Sequence, residues 1–266
     1  MTNRREFLAN SLALAGAITV LPRVGFAASH SGGGDVLPTE TGEIKIHPIE
    51  HASAILETPA GVIYIDPVGN QEEYADAPAP NLVLITHEHG DHYSPELLTG
   101  LTGGNVPIIT NPAVHGMLPE MLQPNARPLA NGELTDEIGI TIEAIPAHNL
   151  TENRMNFHPV GRDNGYVLNI DGRRVYFSGD TEDVPEMRSL ENIDLAFVCM
   201  NLPFTMSAEQ AASAVADFKP KVVYPYHYRG RNGGTQDPDE FAALLLEQAG
   251  GVEVRKGEWY PGGLEQ

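Results

Sequence analysis

The segment Thr86-His87-Glu88-His89-Gly90-Asp91-His92 gathers three imidazoles and a carboxylate directly behind the apolar run Leu82-Val83-Leu84-Ile85. Unpaired imidazoles and carboxylates are costly at the end of a buried strand, so the cluster calls for a compensating cation. Side chains two apart share a face in extended backbone, which pairs His87 with His89 and turns Glu88 away as a structural residue. Gly90 then lets the chain turn so that Asp91 and His92 face a second point. This spacing predicts two adjacent cations. Imidazole and carboxylate donors suit zinc, manganese or iron. A solvated, His-rich turn is the simpler reading, and the ordered spacing argues against it.

Such donors need rigid elements behind them. Alternating or short apolar runs predict strands at 43–48, 53–57, 61–65, 82–86, 106–110, 139–145, 165–170, 173–178, 193–199, 221–226 and 252–256. Asp171-Gly172 reads as a two-residue hairpin turn. Ser207 and Gln210 form a capping box ahead of Ala211, Ala212, Val215 and Phe218. Asp237, Pro238 and Glu240 start a second helix with Phe241, Leu244, Leu245 and Ala249 on one face. Shorter helices are predicted at 95–100 and 112–118. Periodicity alone gives α/β or α+β. Three further strand ends run into a potential donor: Ile145-Pro146-Ala147-His148, Phe177-Ser178-Gly179-Asp180 and Pro225-Tyr226-His227. Each delivers one group from a rigid element.

The chain has 266 residues, 41% of them hydrophobic, enough for a full core in one or two domains. No repeat or composition shift after residue 43 demands a boundary. A formal charge of -20 argues against nucleic acid or anionic lipid as partners. It also disfavours a polyanionic substrate unless metals supply a local positive field. The single cysteine, Cys199, ends the apolar run Leu195-Ala196-Phe197-Val198 and reads as a buried structural thiol.

The N-terminus carries Arg4 and Arg5, then an apolar stretch from Ser11 to Leu21, then Gly25, Ala27 and Ala28. This is the pattern of a twin-arginine signal peptide, residues 1–28, cleaved after Ala27 or Ala28. Its apolar part is shorter than the ~20 residues of a membrane span. The expected partners are the twin-arginine export machinery and a small-molecule substrate, with a periplasmic or secreted mature protein and no stable membrane insertion after processing. Residues 29–42, with Ser31-Gly32-Gly33-Gly34, are expected to be a flexible leader. The catalytic domain then spans 43–266.

The His87–His92 motif resembles the signature of the metallo-β-lactamase superfamily. Ile63-Tyr64-Ile65-Asp66-Pro67, Phe177-Ser178-Gly179-Asp180-Thr181 and Tyr224-Pro225-Tyr226-His227-Tyr228 extend the likeness. Glu50-His51-Ala52-Ser53, Phe157-His158-Pro159, Gly165-Tyr166-Val167-Leu168 and the segment Met200 to Met206 resemble the branch of ascorbate-6-phosphate lactonase-like hydrolases. The resemblance implies a four-layer αβ/βα sandwich. It implies His87, His89 and His148 as ligands of one metal, Asp91, His92 and His227 as ligands of a second, and Asp180 as the bridge. The cofactors implied are two divalent ions, with zinc expected and manganese or iron(II) as alternatives.

The resemblance also implies a binuclear metal-dependent hydrolase in which a metal-bridging hydroxide attacks an ester, lactone or phosphodiester. Asp91 is the expected catalytic residue, either orienting the nucleophile or protonating the leaving group. His51 is a candidate orienting partner and His158 a candidate pocket residue. His30, His47 and His115 read as surface or satisfied core histidines. The loop Asn201 to Met206, with Tyr226 and Tyr228, is expected to shape an apolar pocket wall. Two other functions remain: a non-catalytic periplasmic metal-binding protein, and an iron-dependent redox enzyme on the same fold. Seven candidate ligands argue against the first. The second is disfavoured because diiron reductases of this fold carry Glu where this chain has His89. Lactamase activity is not favoured, since the Gly-His-Thr segment and cysteine ligand of the best-known lactamases are missing.

Overall fold

The computed structural model describes residues 35–264; the expected signal peptide and residues 29–34 of the expected leader lie outside the described residues. Among the described residues fourteen strands form two seven-stranded sheets, β1 to β7 in sequential order in one and β8 to β14 in the other. The first sheet contains β1 (Asp35–Pro38), β2 (Glu43–Glu50), β3 (Ser53–Thr58), β4 (Gly61–Ile65), β5 (Leu82–Leu84), β6 (Ile108–Thr110) and β7 (Ala126–Pro128). The second contains β8 (Leu134–Glu137), β9 (Ile140–Ala147), β10 (Asp163–Ile170), β11 (Arg173–Phe177), β12 (Leu195–Cys199), β13 (Val222–Tyr226) and β14 (Glu253–Val254).

Both sheets have the same internal order. The first four strands pair antiparallel, and the remaining pairings are parallel. Hairpins make the antiparallel half possible, and Asp171-Gly172 is one, with both residues at positive φ (44° and 76°). Parallel strands covered on both faces need continuous apolar sequence. Accordingly every residue of β5, β12 and β13 is buried.

The core lies between the sheets, where Phe177, Phe197 and Tyr224 stack with centroids 4.2 and 5.1 Å apart. Alternate residues of the first sheet, Ile55, Tyr64, Val83 and Ile108, face the other way onto Leu97 and Leu98 of α1 (Pro95–Thr102) and Val114 of α2 (Pro112–Met117). On the outer face of the second sheet, Tyr176 meets Phe218 of α4 (Ala208–Phe218), which packs on α5 (Pro238–Gln248). The layers are helix, sheet, sheet, helix, an α/β sandwich.

Local sequence explains the helix ends. The Ser94 side chain accepts from the Leu97 N–H and Asn111 from the Val114 N–H, each just before a proline at the first helical position. Ser207 and Gln210 form the expected reciprocal capping box.

Residues 35–38, expected to be flexible leader, form β1 instead. They pair with β2 from Asp35 opposite Ile46 to Pro38 opposite Glu43, Leu37 is buried, and the Tyr224 hydroxyl donates to the Asp35 carboxylate. β7, β8 and α3 (Pro185–Arg188) were also not predicted. β1, β7 and β8 are sheet-edge strands with at most one buried residue each, so they lack the alternation that marks a strand.

Candidate metal centre

The site lies beyond the carboxyl ends of the parallel strands, where open α/β sheets place their ligands. β4 runs into Asp66, β5 into the His87–His92 turn, β11 into Asp180, β12 into Asn201 and β13 into His227. His51 sits in the turn between β2 and β3, and His158 in the loop between β9 and β10. The signature turn is closed by the His92 and Tyr93 N–H groups, both 2.9 Å from the His89 carbonyl. Gly90 does not carry that turn: its φ lies outside the left-handed region and open space surrounds the position of a Cβ. Gly179 is the required glycine. At φ +60°, a Cβ there would stand 2.7 Å from the Asn164 carbonyl oxygen and 3.2 Å from Thr86 Cβ. Its absence lets Asp180 approach the end of β5.

Among the described residues three groups of donor atoms result, each with all atoms within 4.8 Å of one another: His87, His89 and His158; His51, Asp91 and His227; His87, His92 and Asp180. Six of the seven residues named from the sequence are thus brought together, and His51 and His158 join them. His148 is in none of these groups. Its backbone is tied to the segment after β11, its N–H donating to Thr181 Oγ1 at 3.0 Å and its carbonyl accepting from the Glu182 N–H at 3.0 Å. The chain then loops out and returns, so it is the His158 ring that lies 5.0 Å from His87 and 4.9 Å from His89, centroid to centroid. Where His148 was expected beside His87 and His89, the donor group thus contains His158.

In His92, His158, His51 and His227 one ring nitrogen has a partner outside the donor groups, which orients the ring. His92 Nδ1 is 2.8 Å from Asp66 Oδ2, His158 Nδ1 is 3.0 Å from Asp163 Oδ2, and His51 Nδ1 is 2.9 Å from the Tyr260 hydroxyl. His227 Nδ1 lies 2.9 Å from Asn201 Nδ2. Asp66 is held in turn by the Thr86 N–H at 2.7 Å and hydroxyl at 2.6 Å. Glu88 points away as expected, 2.8 Å from Arg162.

The electrostatics are those of buried opposite charges. Burial would raise Asp180, but the charges of His227 and His92 outweigh it and hold the carboxyl well below the usual range. Burial likewise opposes the charge on His92, and Asp180 and Asp66 overcome it to raise that ring. Burial is the main cause that lowers His87, followed by the charge of His92. His51 is lowered to about 4, by burial first and His227 second.

The geometry fits a bound cation better than a hydrogen-bonded network. His92 Nε2 and Asp180 Oδ1 are 3.4 Å apart, both buried, and neither has a hydrogen-bond partner. Buried polar atoms without partners are rare in folded proteins, and donors aimed at a common point are what a divalent ion requires. His51, Asp66 and His227 also sit at positive φ, 56°, 43° and 48°. Such backbone is costly for non-glycine residues and gathers at functional sites.

Several residues here escaped sequence reasoning. Asp66 stood in a quoted motif without a role, and Asp163, Tyr260 and Asn201 carried no donor spacing at all. His158 follows no apolar strand, so the signal used for the other ligands could not select it.

Comparison with known proteins gives the family. Residues 62–228 match the β-lactamase superfamily domain, and the chain belongs to that superfamily as a metal-dependent hydrolase. It is 28% identical over 226 residues to a UPF0173 metal-dependent hydrolase of Pyrococcus abyssi, an alignment covering 81% of this chain and 98% of the relative. Among solved structures it is similar to a protein of Parabacteroides distasonis assigned to the metal-dependent hydrolases, with 40% identity, a TM-score of 0.73, and coverage of 85% of this chain and 98% of the other. It is also similar to Igni18, a metallo hydrolase of Ignicoccus hospitalis, with 26% identity, a TM-score of 0.67, and coverage of 81% and 95%. Membership among hydrolases sets aside the non-catalytic reading.

Proposed function

We propose that the chain is a binuclear hydrolase of esters, lactones or phosphodiesters. The position of Asp180 carries this reading. Its Oδ2 is 3.3 Å from His158 Nε2, while its Oδ1 is 3.2 Å from His227 Nε2 and 3.4 Å from His92 Nε2. One carboxylate thus faces both donor groups, as a bridging ligand must. His87, His89 and His158 would hold one ion and His51, Asp91 and His227 the other, with His92 and Asp180 between them. When bound, a pair of divalent ions acidifies water toward neutrality and polarises the oxygen of the scissile bond.

The residues do the rest. Asp91 Oδ2 lies 3.3 Å from His51 Nε2 and 3.6 Å from His227 Nε2, yet 47% of its side chain is exposed. Asp91 therefore joins the buried donors to the solvent, the place for a group that orients water and passes a proton to or from a leaving group. Asp66, Asp163 and Asn201 hold the imidazoles in one orientation throughout. The acidic surface disfavours polyanionic substrates. Export by the twin-arginine route, based on Arg4, Arg5 and the apolar stretch behind them, is part of the same reading.

The test is a panel of aryl ester, lactone and phosphodiester substrates assayed with chelator-stripped protein and after addition of zinc, manganese or iron(II). Turnover that returns with metal supports the proposal. Turnover unaffected by stripping rejects it.

A further inference from the structure

His158 reaches the metal centre differently from every other donor. The rest stand at strand ends, in the signature turn or in the short turn between β2 and β3, whereas His158 comes from the long connection between β9 and β10. That connection is closed on itself. The Asn149 N–H donates to the His158 carbonyl at 2.8 Å, so residues 149–158 form a compact loop with its ends pinned together. Inside it, the Arg154 and Met155 N–H groups return to the Thr151 carbonyl at 2.8 and 3.1 Å.

Asp163 and Arg162 hold its far end, at His158 Nδ1 and the Phe157 carbonyl, and the buried Glu182 holds the rest from outside. Glu182 Oε2 accepts from the Leu150 and Thr151 N–H groups, both at 2.7 Å, and its Oε1 accepts from Arg154 Nη1 at 2.8 Å. Its side chain is 1% exposed, so the charge depends on these partners. Arg154 Nη1 also donates to the Thr205 carbonyl at 2.8 Å, and Asn149 Nδ2 to the Phe204 carbonyl at 2.6 Å. The loop is thereby fastened to the segment that follows Asn201, the orienting partner of His227.

Glu182 stands two residues beyond Asp180. A single short segment thus contributes a carboxylate aimed at His158 Nε2 and, through Glu182, the clamp on the loop that carries His158. From this geometry we infer that Glu182 is a positioning residue for the His87, His89 and His158 half of the centre. It acts through the loop, with Arg154 as its counter-ion, and touches neither substrate nor metal. The inference rests on the two-ion reading above.

The experiment compares metal binding by the wild type, Glu182→Gln, His158→Ala and the double variant, each stripped and titrated with Zn2+ against a chromophoric chelator. Absorption of the Co2+-substituted forms reports the ligand field. Gln at 182 can still accept from the two N–H groups but turns an amide donor toward Arg154. Glu182→Gln should weaken one bound ion about 10–100-fold, the range for loss of an orienting partner. It should alter the cobalt spectrum as His158→Ala does, and the double variant should bind no more weakly than His158→Ala alone. Arg154→Lys, which keeps a charge on the carboxylate, should retain the ion better than Glu182→Gln. Arg154→Met serves as the test if Glu182→Gln does not fold.

Wild-type affinity in a folded Glu182→Gln or Arg154→Met overturns the inference, as does a loss that His158→Ala does not share. A wild type that takes up only a single ion rejects the two-ion reading instead. The clamp is then judged by whether Glu182→Gln weakens that ion as His158→Ala does.

Discussion

Asp66 Oδ2 lies 2.8 Å from His92 Nδ1, and both side chains are fully buried. The carboxylate fixes which nitrogen of His92 faces Asp180 and increases the basicity of that nitrogen. Asp66→Asn should therefore weaken metal binding about 10–100-fold while leaving every proposed ligand in place. Competition titration with a chelator measures this directly. Unchanged affinity would remove Asp66 from the site.

Asp180 makes a sharper test of the bridge. Asp180→Ala removes the carboxylate shared by both donor groups and leaves buried imidazoles without their counter-charge. Elemental analysis of the purified variant should find loss of metal from both positions, whereas His227→Ala should mainly affect one. Full occupancy in Asp180→Ala would exclude the shared carboxylate.

Asp91 and Cys199 should respond in opposite ways. Asp91→Asn removes the charge and the proton-accepting capacity of the only candidate donor in the three groups with substantial exposure, so kcat should fall at least about 10²-fold, the usual scale for acid–base assistance. Cys199→Ser should leave kcat nearly unchanged. Burial, followed by the charge of Asp180, pushes the Cys199 thiol up to about 12, and its Sγ donates to the Thr181 carbonyl. At pH 8 the thiolate fraction of the folded protein is then only about 10⁻⁴, against about a quarter for a free thiol. Iodoacetamide at pH 8 should label the unfolded chain rapidly and the folded chain very slowly, with the rate in the fold rising as pH increases toward 12. Loss of activity on Cys199→Ser would point to thiol chemistry instead.

Export can be tested apart from catalysis. Arg4→Lys combined with Arg5→Lys preserves charge but not the paired guanidinium groups. The unprocessed precursor should accumulate in the cytoplasm, as fractionation and immunoblotting would reveal. A normal periplasmic yield would mean another route.

Much of the candidate centre is legible because its candidate donors obey one rule: an apolar strand, then a donor. His87, His89, Asp91, His92, Asp180 and His227 all follow it; the same buried strands give an α/β or α+β class, and the order of layers comes from the resemblance. The rule also selected His148, which sits at the end of β9 but is tethered by its backbone to Thr181 and Glu182. Only the path of the 149–158 loop brings His158 rather than His148 to the donor groups, and that path includes the contacts of Glu182 and Arg154, whose partners are distant in sequence. β1 was missed for a related reason. Its register depends on pairing with β2 and on Asp35 meeting Tyr224, neither of which leaves a local periodicity.

The repeated order of the two sheets gives the metal centre a second consequence. His51, His87, His89, Asp91 and His92 follow strands of the first sheet, while His158, Asp180 and His227 belong to the second. Any ion held among them staples one half of the chain to the other. With one cysteine the chain can form no internal disulfide, and the cations would take over that task by binding the folded chain in preference to the unfolded one. Treatment with a chelator would then resemble reduction of a disulfide, lowering the melting temperature and loosening the seam between the halves before either sheet comes apart.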